Sequence, residues 1–426
     1  MTLQQWTAIG IFVACYALFV VFPTRRSIVA CAGAVVLVAT GVLQWREALL
    51  GQINWNVVAL FFGTMVLADV FLQSRMPAVM AEWLVDKTRT ARGAMLAISF
   101  LAGVISMFVE NVAVVLLIAP VAMSLTKKLE ISPVRLMILI AVSSNLQGTA
   151  TLIGDPPSMI LAGHLKMSFM DFFIYQGKLG IFFAVQAGAV ASLIVAAWLL
   201  RKFRQRAEML AVEKIRSWVP TVLVVALVAG LSVTSIFDPG FVWLAGTFTM
   251  VLAAIAIIWF RLIARWGSSR GLVKSLDWDT TFFLIGVFVV VGGLSHVKVL
   301  DELARYMSQT LGRHPFGAFA AIVGVSVLVS GFVDNVPFLL AMIPVVDKVA
   351  VSIGVPVPLL MFGMLVGACL GGNITPIGAS ANVVAVGMLR KQGMPVTFRQ
   401  FMGVGVPFTI AAVVASCAFV WFLWGP

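Results

Sequence analysis

A pattern of polar and helix-breaking residues inside apolar sequence occurs twice in this chain, and one fixed spacing separates the copies. Phe108-Val109-Glu110-Asn111-Val112, followed by Pro120, returns 224 residues later as Phe332-Val333-Asp334-Asn335-Val336, followed by Pro344. Gly148-Thr149-Ala150-Thr151-Leu152-Ile153-Gly154 returns at the same spacing as Gly372-Asn373-Ile374-Thr375-Pro376-Ile377-Gly378. Trp55 and Gly63 return as Trp278 and Gly286, 223 residues on. Two halves that repeat Gly, Pro and Asn inside apolar segments point to a secondary transporter whose site lies at the repeat interface.

The surroundings of these motifs exclude a soluble globule, since 61% of the 426 residues are hydrophobic and only 11% charged. Apolar runs at 6–22, 27–43, 55–72, 178–200, 219–237, 241–260, 278–295 and 401–424 suit a hydrocarbon core of ~30 Å. Residues 1–5 lack a basic start and no small-residue cleavage site precedes Pro23, so the first run is expected to stay in the membrane. A net charge of +12 raises the question of nucleic acid, but the basic residues are scattered over short loops, which reads as membrane topology.

With the N-terminus outside and the two repeated motif regions dipping in without crossing, Arg46, Lys166, Lys178, Lys298, Arg305, Arg313 and Lys348 fall outside. The remaining 22 of the 29 basic residues fall inside, Arg25, Arg26 and the run from Arg201 to Arg216 among them. This positive-inside bias predicts periplasmic termini in a bacterial inner membrane. Each half then has five crossings, and an odd number inverts the second half. The expected fold is an all-α polytopic membrane protein of two inverted repeats, 1–200 and 217–426, joined by a basic cytoplasmic linker at 201–216.

Within each repeat two segments do not behave as simple spans. Residues 93–126 hold two apolar stretches of about 15 residues around Glu110-Asn111, and 315–349 do the same around Asp334-Asn335, each short of the ~20 needed to cross. Such a pair predicts a re-entrant hairpin, with exposed backbone tolerated only inside protein or beside a cavity. The following segments, 133–163 and 357–389, are helical in pattern but broken, the first by Gly148 through Gly154, Asp155, Pro156 and Pro157, the second by Gly372 through Gly378. An unwound stretch at mid-membrane offers carbonyls to a cation and amides to an anionic or oxygen-rich solute.

Glu110-Asn111-Val112, the stretch from Thr149 to Pro157, Asp334-Asn335-Val336-Pro337 and the stretch from Thr375 to Asn382 resemble the ion transporter superfamily. That group includes arsenite permeases of the ArsB type, sodium/proton antiporters of the NhaD type, and dicarboxylate and citrate carriers. The likeness covers nearly the whole chain and implies two re-entrant hairpins and two broken helices meeting near mid-membrane. The build is similar to that of bacterial arsenite permeases, some of which work with a soluble ATPase subunit.

The tips carry Glu110 and Asp334 where dicarboxylate carriers of the superfamily have Ser-Asn-Thr, and no Arg or Lys lies inside an expected core segment. A dianion is therefore disfavoured electrostatically. Arsenous acid, and antimonite with it, or else sodium would suit the polar residues Asn111, Thr149, Thr151, Asn335, Asn373, Thr375 and Ser380. Asp155, Glu110, Asp334 and Asp69 are the candidates for proton coupling, because burial of an acid at mid-membrane favours its protonated form. Asp155 leads, since its repeat counterpart is Ala379. Proton-coupled arsenite export is the expected function, with sodium/proton antiport as the alternative and an anion or dicarboxylate carrier behind both.

Cys15, Cys31 and Cys417 read as packing residues, and Cys369 as a possible thiol contact for arsenic. His164, His296 and His314 fall at segment ends. No spacing suggests a metal site or disulfide framework, no cofactor is expected, and the chain has neither His-Glu-x-x-His nor a phosphate-binding loop. The expected partners are a small solute, protons and the lipid bilayer.

Overall fold

Helices follow the apolar runs, and they come in the same order twice. The computed structural model describes residues 1–22, 25–206, 214–311 and 314–426. In the first half the helices are Leu3–Val21, Arg26–Ala39, Trp55–Gln73, Met76–Asp86, Ala91–Ser106, Asn111–Lys128, Val134–Gly148, Pro156–Leu165 and Ile181–Leu199. Their counterparts are Val219–Phe237, Leu244–Ile258, Trp278–His296, Val299–Leu311, Pro315–Ser330, Asn335–Ile353, Val357–Gly371, Ser380–Lys391 and Phe398–Trp424. Pro23, part of the 201–216 linker and Arg313 lie outside the described residues.

Among the described residues nine helices are long and apolar enough to cross a membrane. They include Asn111–Lys128 and Asn335–Ile353, the second arms of the two hairpins. Length and hydropathy therefore do not distinguish a hairpin arm from a crossing helix. Met76–Asp86 and Val299–Leu311 were not expected from sequence; each is an extra helix leading into a hairpin.

The repeated Trp and Gly have matching local roles. The Trp55 indole donates to the Leu49 carbonyl at 2.7 Å, and the Trp278 indole donates to the Val273 carbonyl at 2.7 Å. Asn54 and Asp277 each cap the helix that follows, accepting from the backbone amides of Val57 and Thr280. The capped helices then cross the other half: Trp55–Gln73 packs on Leu244–Ile258, and Trp278–His296 packs on Arg26–Ala39. The close approach needs glycine. A Cβ on Gly63 would sit 2.9 Å from the Thr249 carbonyl carbon, and one on Gly286 would sit 2.6 Å from that of Ala30. Exchanging the halves maps one crossing onto the other, so the two halves interlock.

At the centre lie Val134–Gly148 and Val357–Gly371, the latter buried along nearly its whole length. Ile181–Leu199 and Phe398–Trp424, the last helices of the two halves, pack along each other. One sequence expectation is corrected here. Arg26 does not sit in an inside loop; it is the first residue of a helix within the bundle, and its side chain is only 17% exposed.

Candidate functional site

The interruptions in the central spans have parallel geometry. Val134–Gly148 gives way to irregular backbone, and helix resumes at Pro156 after an extended Asp155 (φ −151°, ψ 141°). Val357–Gly371 passes through a short 3-10 turn at Gly372–Ile374, and helix resumes at Ser380 after an extended Ala379 (φ −145°, ψ 146°). Pro156 and Pro157 fall in the first helical turn, where a missing N–H leaves no hydrogen bond unmade.

Each interruption is clamped to the hairpin tip of its own half. The Thr151 hydroxyl donates to the Met107 carbonyl, and Thr375, its repeat mate, donates to the Gly331 carbonyl at 2.5 Å. Gly154 and Gly378 let the loops fold back, since a Cβ would run into the Ser106 carbonyl in one and the Gly331 carbonyl in the other, at 2.7 and 2.8 Å. A bridge then joins the halves. The Asn145 amide donates to the side-chain oxygens of Asn373 (2.8 Å) and Asn382 (3.2 Å), while Asn382 donates to the carbonyls of Gly372 and Thr375. These buried groups are therefore paired, as low-dielectric surroundings require.

Between the tips and the interruptions lies a cavity of about 50 Å³. Its lining includes Arg26, Asn111, Pro156, Thr280, Asn335 and Ser380. These residues lie in the first turns of six helices, namely Arg26–Ala39, Asn111–Lys128, Pro156–Leu165, Trp278–His296, Asn335–Ile353 and Ser380–Lys391. Glu110, Asp155, Asp277 and Asp334 also line it, and each is the N-cap residue of one of those helices. Glu110 accepts from the Ala113 amide at 3.2 Å and Asp334 from the Val336 amide at 3.0 Å. Asp155 makes no side-chain cap bond and faces the Asn111 amide.

Arg26 ties this arrangement together. Its Nε pairs with Asp279 at 3.2 Å and its Nη2 donates to Thr280 at 2.8 Å, both on Trp278–His296. The remaining arm, Nη1, pairs with Asp334 of the second hairpin tip at 2.6 Å. The guanidinium lies 5.0 Å from the centre of the Phe283 ring, a cation–π arrangement.

Of the residues singled out from sequence, Glu110, Asn111, Asp155, Asp334, Asn335 and Ser380 are brought together around the cavity. Thr149, Thr151, Asn373 and Thr375 are buried in the loops beside it and hydrogen-bond to other parts of the protein. Gly148 and Gly372 lie against the Asn111 side chain and the Gly378 carbonyl respectively. Asp69 lies in an adjoining cavity of about 150 Å³, shared with Glu110 and Asp277, and accepts from Gln73 and Ser275. Cys369 is buried and is not among the residues lining the central cavity.

Sequence reasoning missed Arg26, Asn145, Asp277, Asp279 and Thr280. Signals for them were present. Asp277 and Asp279 flank the repeated Trp278, and Arg26 opens the apolar run 27–43. The expectation that no basic residue reaches the core is overturned by Arg26, which weakens the electrostatic objection to an anionic substrate.

Part-buried ion pairs, interrupted spans and converging hairpin tips in an apolar, multi-pass helical bundle define a membrane transporter. The chain belongs to the citrate transporter family: the family model described as CitMHS, citrate transporter, matches residues 16–367. It is 30% identical to an uncharacterized transporter of Mycobacterium bovis, over 97% of both chains. It is 26% identical to an uncharacterized transporter of Synechocystis, over 98% of this chain and 97% of that one. The YdaH transporter of Alcanivorax borkumensis, whose topology is described as unusual, has a similar fold at a TM-score of 0.64 and 13% identity, over 98% of each chain.

Proposed function

We propose that the protein carries a small carboxylate anion of the citrate type across the membrane, together with compensating positive charge. The convergence of six helix N-termini and Arg26 on one cavity carries this reading. Each helix start behaves as roughly half a positive charge, so six of them and the guanidinium amount to about +4. The four carboxylates lining the cavity, when ionised, offset all of that. A carboxylate substrate entering such a balanced site brings surplus negative charge, and protons or a cation must accompany it. Glu110, Asp155 and Asp334, with Asp69 in the adjoining cavity, are the groups to receive them.

Movement follows from the repeat. The cavity, at about 50 Å³, is well below the ~300–1,000 Å³ of pockets that enclose small ligands, so loading requires the tips to separate. Two halves, 1–200 and 217–426, inverted about the membrane plane with termini on the outer side, supply two related arrangements for alternating access.

Export of arsenous acid in exchange for protons rested on a site without positive charge, and Arg26 removes that support. The antimonite and ATPase-subunit expectations belong to the same reading. The test is counterflow in proteoliposomes. Protein reconstituted with unlabelled citrate inside should accumulate external radiolabelled citrate, and arsenite should not compete. Exchange of arsenite without citrate would restore the neutral-solute reading. Sodium-driven collapse of a pH gradient, with neither solute exchanged, would instead select sodium/proton antiport.

A further inference from the structure

The geometry points to Asp334 as an exchangeable stand-in for a substrate carboxylate: substrate takes its place on Arg26, and the displaced Asp334 takes up the co-transported positive charge. This rests on the carboxylate reading above. Arg26 is held from behind by Asp279 and Thr280 on Trp278–His296, so its position does not depend on Asp334. Only Nη1 reaches across to the hairpin tip. The pair thus joins a fixed scaffold helix of one half to a tip that must move for the cavity to open.

The two partners differ in what holds them when the pair breaks. Arg26 keeps Asp279 and Thr280. Asp334 keeps the Val336 amide, its own helix cap, which holds the carboxylate at the cavity wall. Glu110 and Asp334 both act electrostatically on Asp155, so a released Asp334 faces two other carboxyl groups. Tyr16 lies within reach of the same charge, and its buried hydroxyl has no hydrogen-bond partner among the described residues. It is a neutral donor and cannot cancel the charge. Asp334 is only partly hydrated, with 27% of its side chain exposed, so a carboxylate released beside Glu110 and Asp155 favours taking up a positive charge. Substrate binding and uptake of one positive charge at Asp334 are therefore linked. The resting pair gives Asp334 a cationic partner in the empty carrier, so that carboxylate needs no co-transported charge on the return step.

The experiment counts charge. Reversal potentials of citrate transport in proteoliposomes give the net charge moved per citrate for the unmodified protein, Asp334→Asn and Asp334→Glu. We expect Asp334→Asn, at whatever rate of transport remains, to move one positive charge fewer per citrate, and Asp334→Glu to keep the original count. An unchanged count in Asp334→Asn overturns the exchange and leaves the carboxylate reading standing. Absence of citrate counterflow in the unmodified protein removes that reading, and the exchange with it. If Asp334→Asn is not recovered folded, calorimetric titration of the unmodified protein with citrate decides. Carried out in buffers of different ionisation enthalpy and at varied cation concentration, it should show about one positive charge taken up per citrate bound, and none would overturn the proposal.

Discussion

Two crossings of the same design hold the halves together, and they differ in charge. In one, Asn56 of Trp55–Gln73 donates to the Phe241 carbonyl at 2.9 Å and accepts from the Gly246 amide at 2.8 Å. In the other, its repeat mate Asp279 pairs with Arg26 and accepts from Ser27 at the start of Arg26–Ala39. Both polar side chains fasten the start of a second helix of the opposite half. The neutral copy closes on backbone groups. The charged copy holds a guanidinium whose remaining arm pairs with Asp334 at the central cavity. A carboxylate in place of an amide therefore turns a structural fastening into a support for a binding residue, and the shared scaffold need not change.

The largest expected contrast comes from removing a polar partner from each crossing. Arg26→Gln leaves the part-exposed Asp279 and Asp334 without their cationic partner, and citrate counterflow should fall by at least roughly 100-fold. Asn56→Ala should instead appear as lower melting temperature in detergent, about 1–3 kcal/mol from unpaired backbone groups, with counterflow within a few-fold of normal. Equal transport defects in the two variants would end the distinction between binding and fastening copies.

The glycines should behave alike. Gly63→Val and Gly286→Val each force the crossing helices apart, at about 1–3 kcal/mol, and thermal unfolding should show similar losses. A large loss in only one would mean that the two crossings are not equivalent. Asp155 tests the chemistry that the halves do not share, since its mate is Ala379. Asp155→Asn should reduce concentrative uptake roughly tenfold, equivalent to about 1.4 kcal/mol, and flatten its pH dependence while counterflow persists. An unchanged pH profile would exclude Asp155 from coupling. The smallest effects belong to the loop clamps. Thr151→Val and Thr375→Val should each cost about 0.6 kcal/mol, and hydrogen exchange at the hairpin tips should rise to a similar extent in both.

Much of this was legible in sequence because it is written in local chemistry. Apolar runs, the pair Pro156-Pro157 and the glycines at 154 and 378 dictate where helices can and cannot continue, and the fixed repeat spacing announces two related units. Glu110, Asn111, Asp155, Asp334, Asn335 and Ser380 could be picked out as polar groups at helix breaks in an apolar setting, and they do meet around one cavity. Thr149, Thr151, Asn373 and Thr375 share those features yet are tied into the scaffold. Residue type alone does not tell a clamp from a contact, because both need a buried hydrogen-bonding group.

Tertiary structure decided the charge balance of the site. Arg26 is 308 residues from Asp334 in sequence, and its preceding segment reads as an ordinary positive-inside loop. Only the crossing of Arg26–Ala39 with Trp278–His296 brings the guanidinium to Asp279, Thr280 and the second hairpin tip. Likewise, six helix starts become one region of positive potential only when their axes converge, since a helix dipole acts strongly only near its own end. Local sequence determined where the helices break. Long-range packing determined which broken ends face each other, and the solute that the site favours depends on that arrangement.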